Sequence, residues 1–399
     1  MKYIVLIGDG MSDYPIDSLD GRTPLEVAKK PNMDRLAREG RVGTSITVPK
    51  SMAPASDVAN LSIMGYDPNK YYSGRGPLEA ANIGVELDEG DVAFRCNLIT
   101  ATDDILSDYS AGHINNKEAE TLIKYLDSKL GSDSVKFYPG MSYRHLTVFK
   151  ASPELVDLKC TPPHNVTGQS IAHNLPKGKR AEFIIKLMND SRELLGENEV
   201  NKVRIDLGEN PGNMIWLWGQ GVKPRMDPFK EKYGLTGSVI SAVDLIKGIG
   251  KVIGLDPIKV LGATGYYDTD YKAKADYALR SLKDKDFVYV HVEAPDEAGH
   301  NGHLSEKIKA IENFDRLVVG TMIEGLKTMG EFRMLILPDH ATPVSLRTHT
   351  RDPVPFLIYG SGVQPGGVML FTEKAATAGG FKIEKGWELM DYLIKRRIL

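Results

Sequence analysis

Five acidic and histidine residues in the last third of the sequence have the types and spacing of metal ligands. They are Asp296, His300, Asp339, His340 and His349, and the two acidic residues each follow an apolar run typical of a buried strand. Side chains at the carboxyl ends of parallel strands converge on one crevice of an α/β sheet. Carboxylate oxygen and imidazole nitrogen suit Mn²⁺, Zn²⁺ or Mg²⁺, and burying this mixture without a metal is costly. The pattern predicts a two-metal site for hydrolysis or phosphoryl transfer.

The amino terminus supplies two further candidates. The continuous apolar run at 2–8 predicts a central parallel strand, and it ends at Asp9. Further along, a loop that contains Pro54 leads into a predicted short helix, which places Ser56 near a helix N-terminus. A helix N-terminus concentrates backbone N–H groups and partial positive charge, so it favours a phosphate. A serine hydroxyl is a weak nucleophile at neutral pH, but metal coordination can activate it.

Composition limits the classes of protein to consider. The 399 residues favour two domains, and an apolar content of 42% is ample for large cores. The net charge of −3 gives no electrostatic argument for nucleic acid or anionic membranes. The two cysteines lack CxxC spacing, so neither a disulfide framework nor a zinc finger is indicated. No run resembles a signal peptide or reaches the ~18 apolar residues of a spanning helix, so we expect a soluble cytoplasmic enzyme.

The predicted pattern of strands and helices changes twice along the chain, which predicts a discontinuous domain. A β/α rhythm at the start gives way to the pattern of another sheet, and the rhythm resumes after a second stretch rich in Gly and Pro. We therefore expect one metal-binding domain from 1–68 and 229–399, with a substrate-handling domain at 69–228 inserted through a two-stranded hinge. The elements predicted within them include a helix at 31–40, strands at 91–100 and 143–150, and an amphipathic helix at 305–326.

The order of the motifs along the chain resembles that of a known family. The motifs are Val-Leu-Ile-Gly-Asp-Gly-Met at 5–11, Ser-Asp-Val-Ala-Asn-Leu-Ser-Ile-Met-Gly-Tyr-Asp at 56–67, Phe-Arg-Cys-Asn-Leu at 94–98, Asp-Tyr-Ser-Ala-Gly-His at 108–113, Pro-Asp-Glu-Ala-Gly-His at 295–300, Pro-Asp-His at 338–340, and His349. Together they resemble the alkaline phosphatase superfamily, and within it the cofactor-independent phosphoglycerate mutases of the archaeal type. The resemblance covers essentially the whole chain. It implies an alkaline-phosphatase-like α/β fold, with a doubly wound, mostly parallel sheet and an inserted α+β domain.

The same resemblance implies a ligand set and a reaction. One divalent ion would be bound by Asp296, His300 and His349, and the other by Asp9, Ser56, Asp339 and His340. The ions would be Mn²⁺ or Mg²⁺, with Zn²⁺ or Co²⁺ as alternatives. Ser56 would carry the phosphoryl group as phosphoserine, which gives 3-phosphoglycerate ⇌ 2-phosphoglycerate, a step of glycolysis and gluconeogenesis, without bisphosphoglycerate.

The inserted domain must hold glycerate and exclude water. By resemblance to a substrate-contacting loop of the family, Asp108 and His113 are candidates for handling the hydroxyl proton. Guanidinium groups match planar anions bidentately, so arginines are expected among the groups that bind carboxylate or phosphate. The candidates for substrate binding are Arg95, Asn97, Arg144 and Lys247. The longer bacterial branch of the family has His where Asn60 stands here.

Other interpretations use the same residues. A metal-dependent phosphotransferase to another alcohol such as homoserine, or a phosphomonoesterase, would share the metal site, and a non-catalytic metal- or phosphate-binding protein is a third class. Ser56 alone could be an ordinary N-cap, and His291 is expected to be structural. The expected partner is a phosphorylated small molecule, with no nucleic acid or membrane, and the assembly a monomer or small homo-oligomer.

Overall fold

A computed structural model describes residues 1–395 of the chain. It divides into two compact units, which we call unit 1 and unit 2. Unit 1 combines Met1–Tyr72 with the chain from Met226 onward, and unit 2 is Ser73–Arg225. The two points of division lie close to the boundaries expected from the sequence. None of the helices within the described residues is long and apolar enough to cross a membrane.

Strands and helices alternate along most of unit 1, and the elements of both units are numbered together in chain order. The strands are β1 (Lys2–Gly8), β2 (Arg41–Ser45), β3 (Val92–Thr102), β4 (Ile105–Asp108), β5 (Val135–Met141), β6 (Arg144–Phe149), β7 (Met214–Val222), β8 (Gly237–Ile240), β9 (Asp256–Pro257), β10 (Phe287–Val292), β11 (Phe332–Leu337), β12 (Val354–Gly360) and β13 (Lys382–Ile383). The α-helices are α1 (Pro24–Val27), α2 (Pro31–Glu39), α3 (Ser56–Ile63), α4 (Pro68–Tyr71), α5 (Arg75–Ile83), α6 (Asn116–Leu130), α7 (Ile171–Asn174), α8 (Ala181–Gly196), α9 (Glu199–Asp206), α10 (Phe229–Tyr233), α11 (Asp244–Val252), α12 (Tyr271–Ser281), α13 (Ala294–Asn301), α14 (Leu304–Asn313), α15 (Gly320–Leu326), α16 (Glu373–Ala378) and α17 (Leu389–Ile394).

Unit 1 is built on an eight-stranded sheet with the order β13-β2-β12-β11-β1-β10-β8-β9. Only β12 runs antiparallel to its neighbours, and every other adjacent pair is parallel. The central strands β1, β10 and β11 are buried along almost their whole length, as expected for uninterrupted apolar runs in a parallel sheet. The predicted mostly parallel α/β fold is confirmed.

Two helices of unit 1 were predicted from the sequence, and one of them differs in the structure. The helix predicted at 31–40 is present as α2. The helix predicted at 305–326 is present as α14 and α15, but a π-helical segment at Phe314–Val319 separates them. This segment carries Asp315, whose carboxylate accepts hydrogen bonds from the backbone N–H groups of Asn32 (3.2 Å) and Met33 (2.7 Å) at the start of α2. The irregular turn therefore satisfies donors that the first turn of a helix leaves unpaired.

Unit 2 is an α+β unit with a five-stranded antiparallel sheet. Strand β3 lies in the middle and pairs with β4, β6 and β7, while β5 pairs with β6. The strands predicted at 91–100 and 143–150 are present as β3 and β6. Helices α6 and α8 contribute apolar side chains to a core that they share with this sheet. The predicted inserted α+β fold is thus confirmed.

Candidate active site

Three neighbouring parallel strands of unit 1 bring the acidic candidates to one edge of the sheet. β1 lies between β10 and β11, and the last residues of the three strands are in register. Asp9 directly follows β1, Asp296 lies in the first turn of the helix after β10, and Asp339 follows β11. Because parallel strands end at the same edge, the three carboxylates meet there.

The first group of candidate ligands, which we call cluster A, is Asp296, His300 and His349. One ligand atom from each residue lies within 4.8 Å of the others. Asp296 and His300 stand one helical turn apart on α13, so both project from the same helix face. His300 Nε2 lies 3.3 Å from Asp296 Oδ2, and His349 Nε2 lies 3.4 Å from Asp296 Oδ1.

The orientation of both cluster A histidines is set by the loop after β11. The hydrogen bond from Thr350 N to Ala341 O (2.9 Å) folds the loop back and brings His349 to the cluster. His300 Nδ1 lies 3.0 Å from the carbonyl oxygen of Arg347. A carbonyl can only accept, so Nδ1 carries the hydrogen and Nε2 faces the cluster, as is usual for a metal-binding histidine.

The second group, cluster B, is Asp9, Asp339 and His340, all buried and also within 4.8 Å of one another. Its His340 ring lies 3.9 Å from the His349 ring of cluster A, centroid to centroid, so the two clusters adjoin. His340 Nε2 lies 3.1 Å from the hydroxyl oxygen of Ser56. The structure thus brings together the seven residues that the sequence assigned to two metal ions.

Asp339 is the most tightly held residue of cluster B. Its Oδ1 accepts hydrogen bonds from Gly10 N (3.1 Å) and from its neighbour His340 N (2.9 Å). Its Oδ2 accepts a hydrogen bond from Asn60 Nδ2 at 2.7 Å. Although burial alone would raise the pKa of Asp339, the nearby His291, whose own pKa is raised to about 9, holds it well below its usual value. The carboxylate is therefore kept ionised and fixed in orientation.

The charges of the two clusters fit divalent cations. Burial, with repulsion from Asp339 and Asp296, raises the pKa of Asp9 well above its usual value, and Asp9 Oδ1 is buried without a hydrogen-bond partner. Burial lowers the pKa of His340 to about 4, which keeps its imidazole neutral and able to bind a metal. An unpaired buried carboxylate oxygen beside a second carboxylate is unfavourable unless a cation compensates it. The residues present therefore suit two divalent ions.

Ser56 is the first residue of α3, and the residue at the N-cap is Ala55. The alternative interpretation of Ser56 as an ordinary N-cap residue is therefore wrong. The N-cap residue makes no side-chain hydrogen bond, although Val58 N in the first turn donates to Asp57 Oδ1 at 2.9 Å. The partial positive charge of the helix N-terminus favours an anion there. A phosphate bound there would lie beside the Ser56 hydroxyl, and this arrangement suits phosphoryl transfer.

Unit 2 gathers several of the predicted substrate-binding residues on β3, β6 and β7. Arg95 and Asn97 lie on β3, where Arg95 Nε donates to Asn97 Oδ1 at 3.2 Å. The Arg95 guanidinium lies 5.2 Å from the ring centre of Trp218 on β7. Burial, together with nearby Arg75 and Arg144, lowers the pKa of Arg95 to about 10, against the effect of Glu79. Arg95 is also paired with Glu79 at 2.5 Å, and the neighbouring arginines add positive charge that favours an anion.

Asp108 and His113 lie at the two ends of one loop of unit 2. Asp108 accepts hydrogen bonds within that loop from Ser110 N and Gly112 N, both at 2.7 Å, and from Asn210 at 2.9 Å. Against the effect of burial, these contacts lower its pKa. His113 has a left-handed backbone with a φ of 52° and lines a polar pocket. The contacts of Asp108 suit a residue that orders the loop, while His113 faces open space.

Lys247, a candidate for substrate binding, follows the second connection between the two units. It is on α11 of unit 1, where its ammonium group pairs with Asp244 at 2.8 Å. This helix does pack against α3, which carries Ser56.

Several residues beside the clusters were not singled out from the sequence. In unit 1, His291 Nε2 lies 3.3 Å from Asp9 Oδ2, and a histidine inside the otherwise apolar strand β10 was the available signal. In unit 2, Arg75 lies 5.3 Å from the Trp218 ring centre. Thr342, two residues after His340, had no distinguishing signal.

Known proteins resemble this chain over its full length. A family model described as 2,3-bisphosphoglycerate-independent phosphoglycerate mutase matches residues 37–201. The protein of that name from Methanothrix thermoacetophila is 52% identical over 395 residues, covering 99% of this chain and 100% of the relative. A solved structure from Pyrococcus horikoshii has a TM-score of 0.84 at 30% identity, covering 99% of this chain and 96% of that one. A cofactor-independent phosphoglycerate mutase from Thermoplasma acidophilum has a TM-score of 0.66 at 30% identity, covering 99% of each chain.

An α/β fold that places a serine beside two carboxylate–imidazole clusters defines a metal-dependent phosphoryl-transfer enzyme. The full-length similarity is more specific, and the chain belongs to the archaeal-type family of 2,3-bisphosphoglycerate-independent phosphoglycerate mutases. The resemblance inferred from the motifs and the predicted enzyme class are confirmed. Membership implies a phosphorylated small-molecule substrate, divalent metal ions and no bisphosphoglycerate cofactor. The alternatives of a homoserine phosphotransferase and a phosphomonoesterase are not favoured.

Proposed function

We propose that Ser56 is the nucleophile that carries the phosphoryl group between the two hydroxyls of glycerate. The observation that supports it is the position of the Ser56 hydroxyl, at the uncapped N-terminus of α3 and 3.1 Å from His340 of cluster B. The N–H groups of the first turn would orient the phosphate for attack. Holding the reacting atoms in line contributes a large part of the rate of phosphoryl transfer.

The reaction then consists of two matched transfers. In the first, a bond forms between Ser56 Oγ and phosphorus while the bond from phosphorus to O3 of 3-phosphoglycerate breaks. The proton lost by the serine is balanced by the one gained at O3 of glycerate. In the second transfer, a bond forms between O2 of the same glycerate and phosphorus while the bond from phosphorus to Ser56 Oγ breaks. The proton lost by O2 is balanced by the one gained at Ser56 Oγ. The sum is the isomerisation to 2-phosphoglycerate, with no net gain or loss of phosphate.

Clusters A and B would each hold one divalent ion. The two ions, when bound, would neutralise charge on the phosphate and activate the serine hydroxyl. Mixed carboxylate and imidazole ligands favour Mn²⁺ or Mg²⁺, with Zn²⁺ or Co²⁺ as alternatives. Asn60 and the backbone N–H of Gly10 would keep Asp339 in its ligating orientation.

The arginines of unit 2 are proposed to bind glycerate. Arg144 Nε is buried without a hydrogen-bond partner, and an anionic oxygen would satisfy it. Arg95 and Asn97 would bind the same carboxylate from β3, with Arg75 as an additional positive charge. A fixed guanidinium fork orients a carboxylate better than an ammonium group does.

Two further assignments complete the proposal for unit 2. His113 would transfer the proton at the glycerate hydroxyls, since it is the exposed titratable group of its loop. Asp108 would hold that loop in shape through its hydrogen bonds to Ser110, Gly112 and Asn210. The enzyme would work in the cytoplasm, where the glycolytic substrate occurs, as a monomer or small homo-oligomer.

Trapping the intermediate tests the assignment of Ser56. Protein loaded with Mn²⁺ is mixed with 3-phosphoglycerate, quenched in acid within the first turnovers, digested and analysed by mass spectrometry. Phosphate is expected on the peptide that begins α3, at Ser56, and none is expected with Ser56→Ala. Recovery of the label on Ser51 or Ser62, or an active Ser56→Ala enzyme, would overturn the assignment.

A further inference from the structure

Thr342 contacts one residue of each metal-ligand cluster through a single hydroxyl group. Its side chain is fully buried. Its Oγ1 donates a hydrogen bond to Asp296 Oδ1 of cluster A, and the same oxygen lies 3.2 Å from His340 Nδ1 of cluster B. We propose that Thr342 is a positioning residue that couples the geometry of the two sites. The inference rests on the proposed function of both clusters as metal sites.

The hydroxyl group fixes the tautomer of His340. Thr342 has one hydroxyl hydrogen, which it donates to Asp296 Oδ1. The lone pairs of Thr342 Oγ1 then accept a hydrogen from His340 Nδ1. The imidazole therefore carries its hydrogen on Nδ1, and Nε2 is left with a lone pair directed to cluster B and Ser56. A metal ligand needs this tautomer.

The backbone of Thr342 is held from two sides, so its hydroxyl group has little freedom to move. Thr342 N donates to Ser12 O at 3.2 Å. Its carbonyl accepts a hydrogen bond of 2.7 Å from the ammonium group of Lys307, which is buried and paired with Asp13 at 2.7 Å. A β-branched side chain on a fixed backbone has few available rotamers. Thr342 is thus a rigid point between the two clusters.

The chain also leaves room for this hydroxyl group. Gly10 has a left-handed backbone with a φ of 59°, and a Cβ there would lie 2.5 Å from both Thr342 Oγ1 and Asp296 Oδ1. A side chain at this position would separate the two hydrogen-bonded groups. The glycine after Asp9 therefore permits the close approach of Thr342 to Asp296.

Metal binding by the isosteric variant Thr342→Val tests the proposal. Isothermal titration of Mn²⁺ into metal-free protein is expected to show two ions per wild-type chain, and both binding steps should weaken by about 10–100-fold in Thr342→Val, the usual effect of losing a hydrogen bond to a metal ligand. Thr342→Ser keeps the hydroxyl group and should bind within about threefold of wild type. Thr44→Val, a buried threonine on β2, is the matched control and should leave binding unchanged.

A second readout distinguishes positioning from packing. In protein labelled with ¹⁵N-histidine, long-range ¹H–¹⁵N correlation should show His340 of the metal-free wild type as the Nδ1–H tautomer. Thr342→Val should populate the Nε2–H tautomer, whereas Thr342→Ser should not.

Three results would overturn the inference. They are wild-type Mn²⁺ affinity in Thr342→Val, an unchanged His340 tautomer in that variant, and a tenfold loss of affinity in Thr342→Ser, which would show that the methyl group matters instead. If wild type itself fails to bind two ions, the proposed metal sites are wrong and the coupling with them.

Discussion

Asn60 joins the nucleophile helix to a ligand of cluster B. Its amide nitrogen donates to Asp339 Oδ2 at 2.7 Å and to the Ser56 carbonyl at 2.8 Å, while its oxygen accepts from the Tyr289 hydroxyl at 2.5 Å. These are all the hydrogen bonds that the NH₂ group can donate. An apolar side chain at 60 would leave Asp339 Oδ2 without this donor and the Tyr289 hydroxyl without its acceptor.

We expect Asn60→Leu to affect metal binding and stability for different reasons. Loss of the donor to Asp339 should weaken Mn²⁺ binding by about 10–100-fold. The unpaired Tyr289 hydroxyl should lower the free energy of unfolding by about 1–3 kcal/mol. The double variant Asn60→Leu with Tyr289→Phe should recover part of the stability and none of the affinity. Calorimetric titration measures the Mn²⁺ affinity and urea unfolding measures the stability. Recovery of both in the double variant would contradict this account.

Arg144 provides the residue-scale test of unit 2. Replacing it with Ala should lower kcat/KM for 3-phosphoglycerate by roughly 10²-fold, typical for the loss of an orienting group. Metal-dependent hydrolysis of p-nitrophenyl phosphate should fall much less, because clusters A and B are unchanged. Arg144→Lys should recover only part of the activity, since an ammonium group lacks the bidentate fork. Equal loss of both activities would assign Arg144 to the fold instead of to glycerate.

Residue types and spacing revealed some parts of the site and not others. The ligands of both clusters follow strand ends, so the sequence could group them before any coordinates were known. Asn60 and Thr342 form hydrogen bonds with those ligands, and His291 lies 3.3 Å from Asp9. Such contacts depend on tertiary geometry that leaves no periodic signal. Lys247 was a candidate contact to phosphate, and its ion pair with Asp244 is a tertiary detail that the sequence did not single out.

Helix α3 begins next to the nucleophile, and its N-cap residue has no capping side chain. Ala55 occupies the N-cap and offers no side-chain oxygen to the N–H groups that follow. A cap at this position normally contributes about 0.5–2 kcal/mol. We infer that a phosphate takes the place of a cap, so the helix gives up local stability for function.

Ala55→Asp should therefore stabilise the protein and impair catalysis. The aspartate would cap α3, raising the free energy of unfolding by about 1 kcal/mol, while its charge would compete with and repel the phosphate. Ala55→Asn caps the helix without the charge and should impair kcat/KM less. Thermal unfolding and steady-state kinetics measure the two effects. A stabilised Ala55→Asp variant with wild-type kinetics would show that the first turn of α3 does not bind phosphate.

Strand β6 carries a buried histidine with a strongly perturbed pKa. Burial, with the positive charges of Arg95 and Arg144, lowers the pKa of His145 to about 3. Its Nδ1 accepts a hydrogen bond from Gly140 N at 3.0 Å, which requires the unprotonated nitrogen. Between pH 6.5 and pH 3 the unfolded chain binds a proton at His145 that the folded chain does not, so acidification through this window lowers stability.

We expect His145→Gln to make the protein less sensitive to acid. The contribution of His145 is constant above pH 6.5, and below it the wild type should lose at most about 1.4 kcal/mol of unfolding free energy per pH unit relative to the variant. Urea unfolding at several pH values, followed by tryptophan fluorescence, measures this, because Trp216 and Trp218 lie on β7 of unit 2. Parallel pH profiles for the two proteins would mean that His145 is protonated in the folded state.

At the scale of elements, the sequence predicted strands better than irregular turns. β10 and β11 are mostly apolar runs, each with one polar residue, His291 or Arg333. A buried strand or helix accommodates such a run, and the flanking turns favour the strand. The π-helical segment at Phe314–Val319 escaped prediction because its periodicity differs little from that of an α-helix. Its cause lies at Asp315, which binds the start of α2, far away in sequence.

At the scale of the whole molecule, the change in residue pattern along the chain predicted two kinds of sheet. A parallel sheet with buried strands and an antiparallel sheet with its own core need different residue patterns, and both patterns are visible in the sequence. The division of labour between unit 1 and unit 2 is a further step, which depends on which residues bind glycerate. It remains a proposal that the Arg144 variants test.

The fate of the phosphoryl group tests the account most directly. Metal-free protein is supplied with Mn²⁺ and 3-phosphoglycerate, without bisphosphoglycerate, and ³¹P NMR follows 2-phosphoglycerate and inorganic phosphate together. We expect 2-phosphoglycerate to form up to its equilibrium ratio with little free phosphate, and we expect EDTA to stop the reaction. Release of inorganic phosphate as the main product, activity that survives EDTA, or activity that appears only after 2,3-bisphosphoglycerate is added would contradict the proposed mechanism.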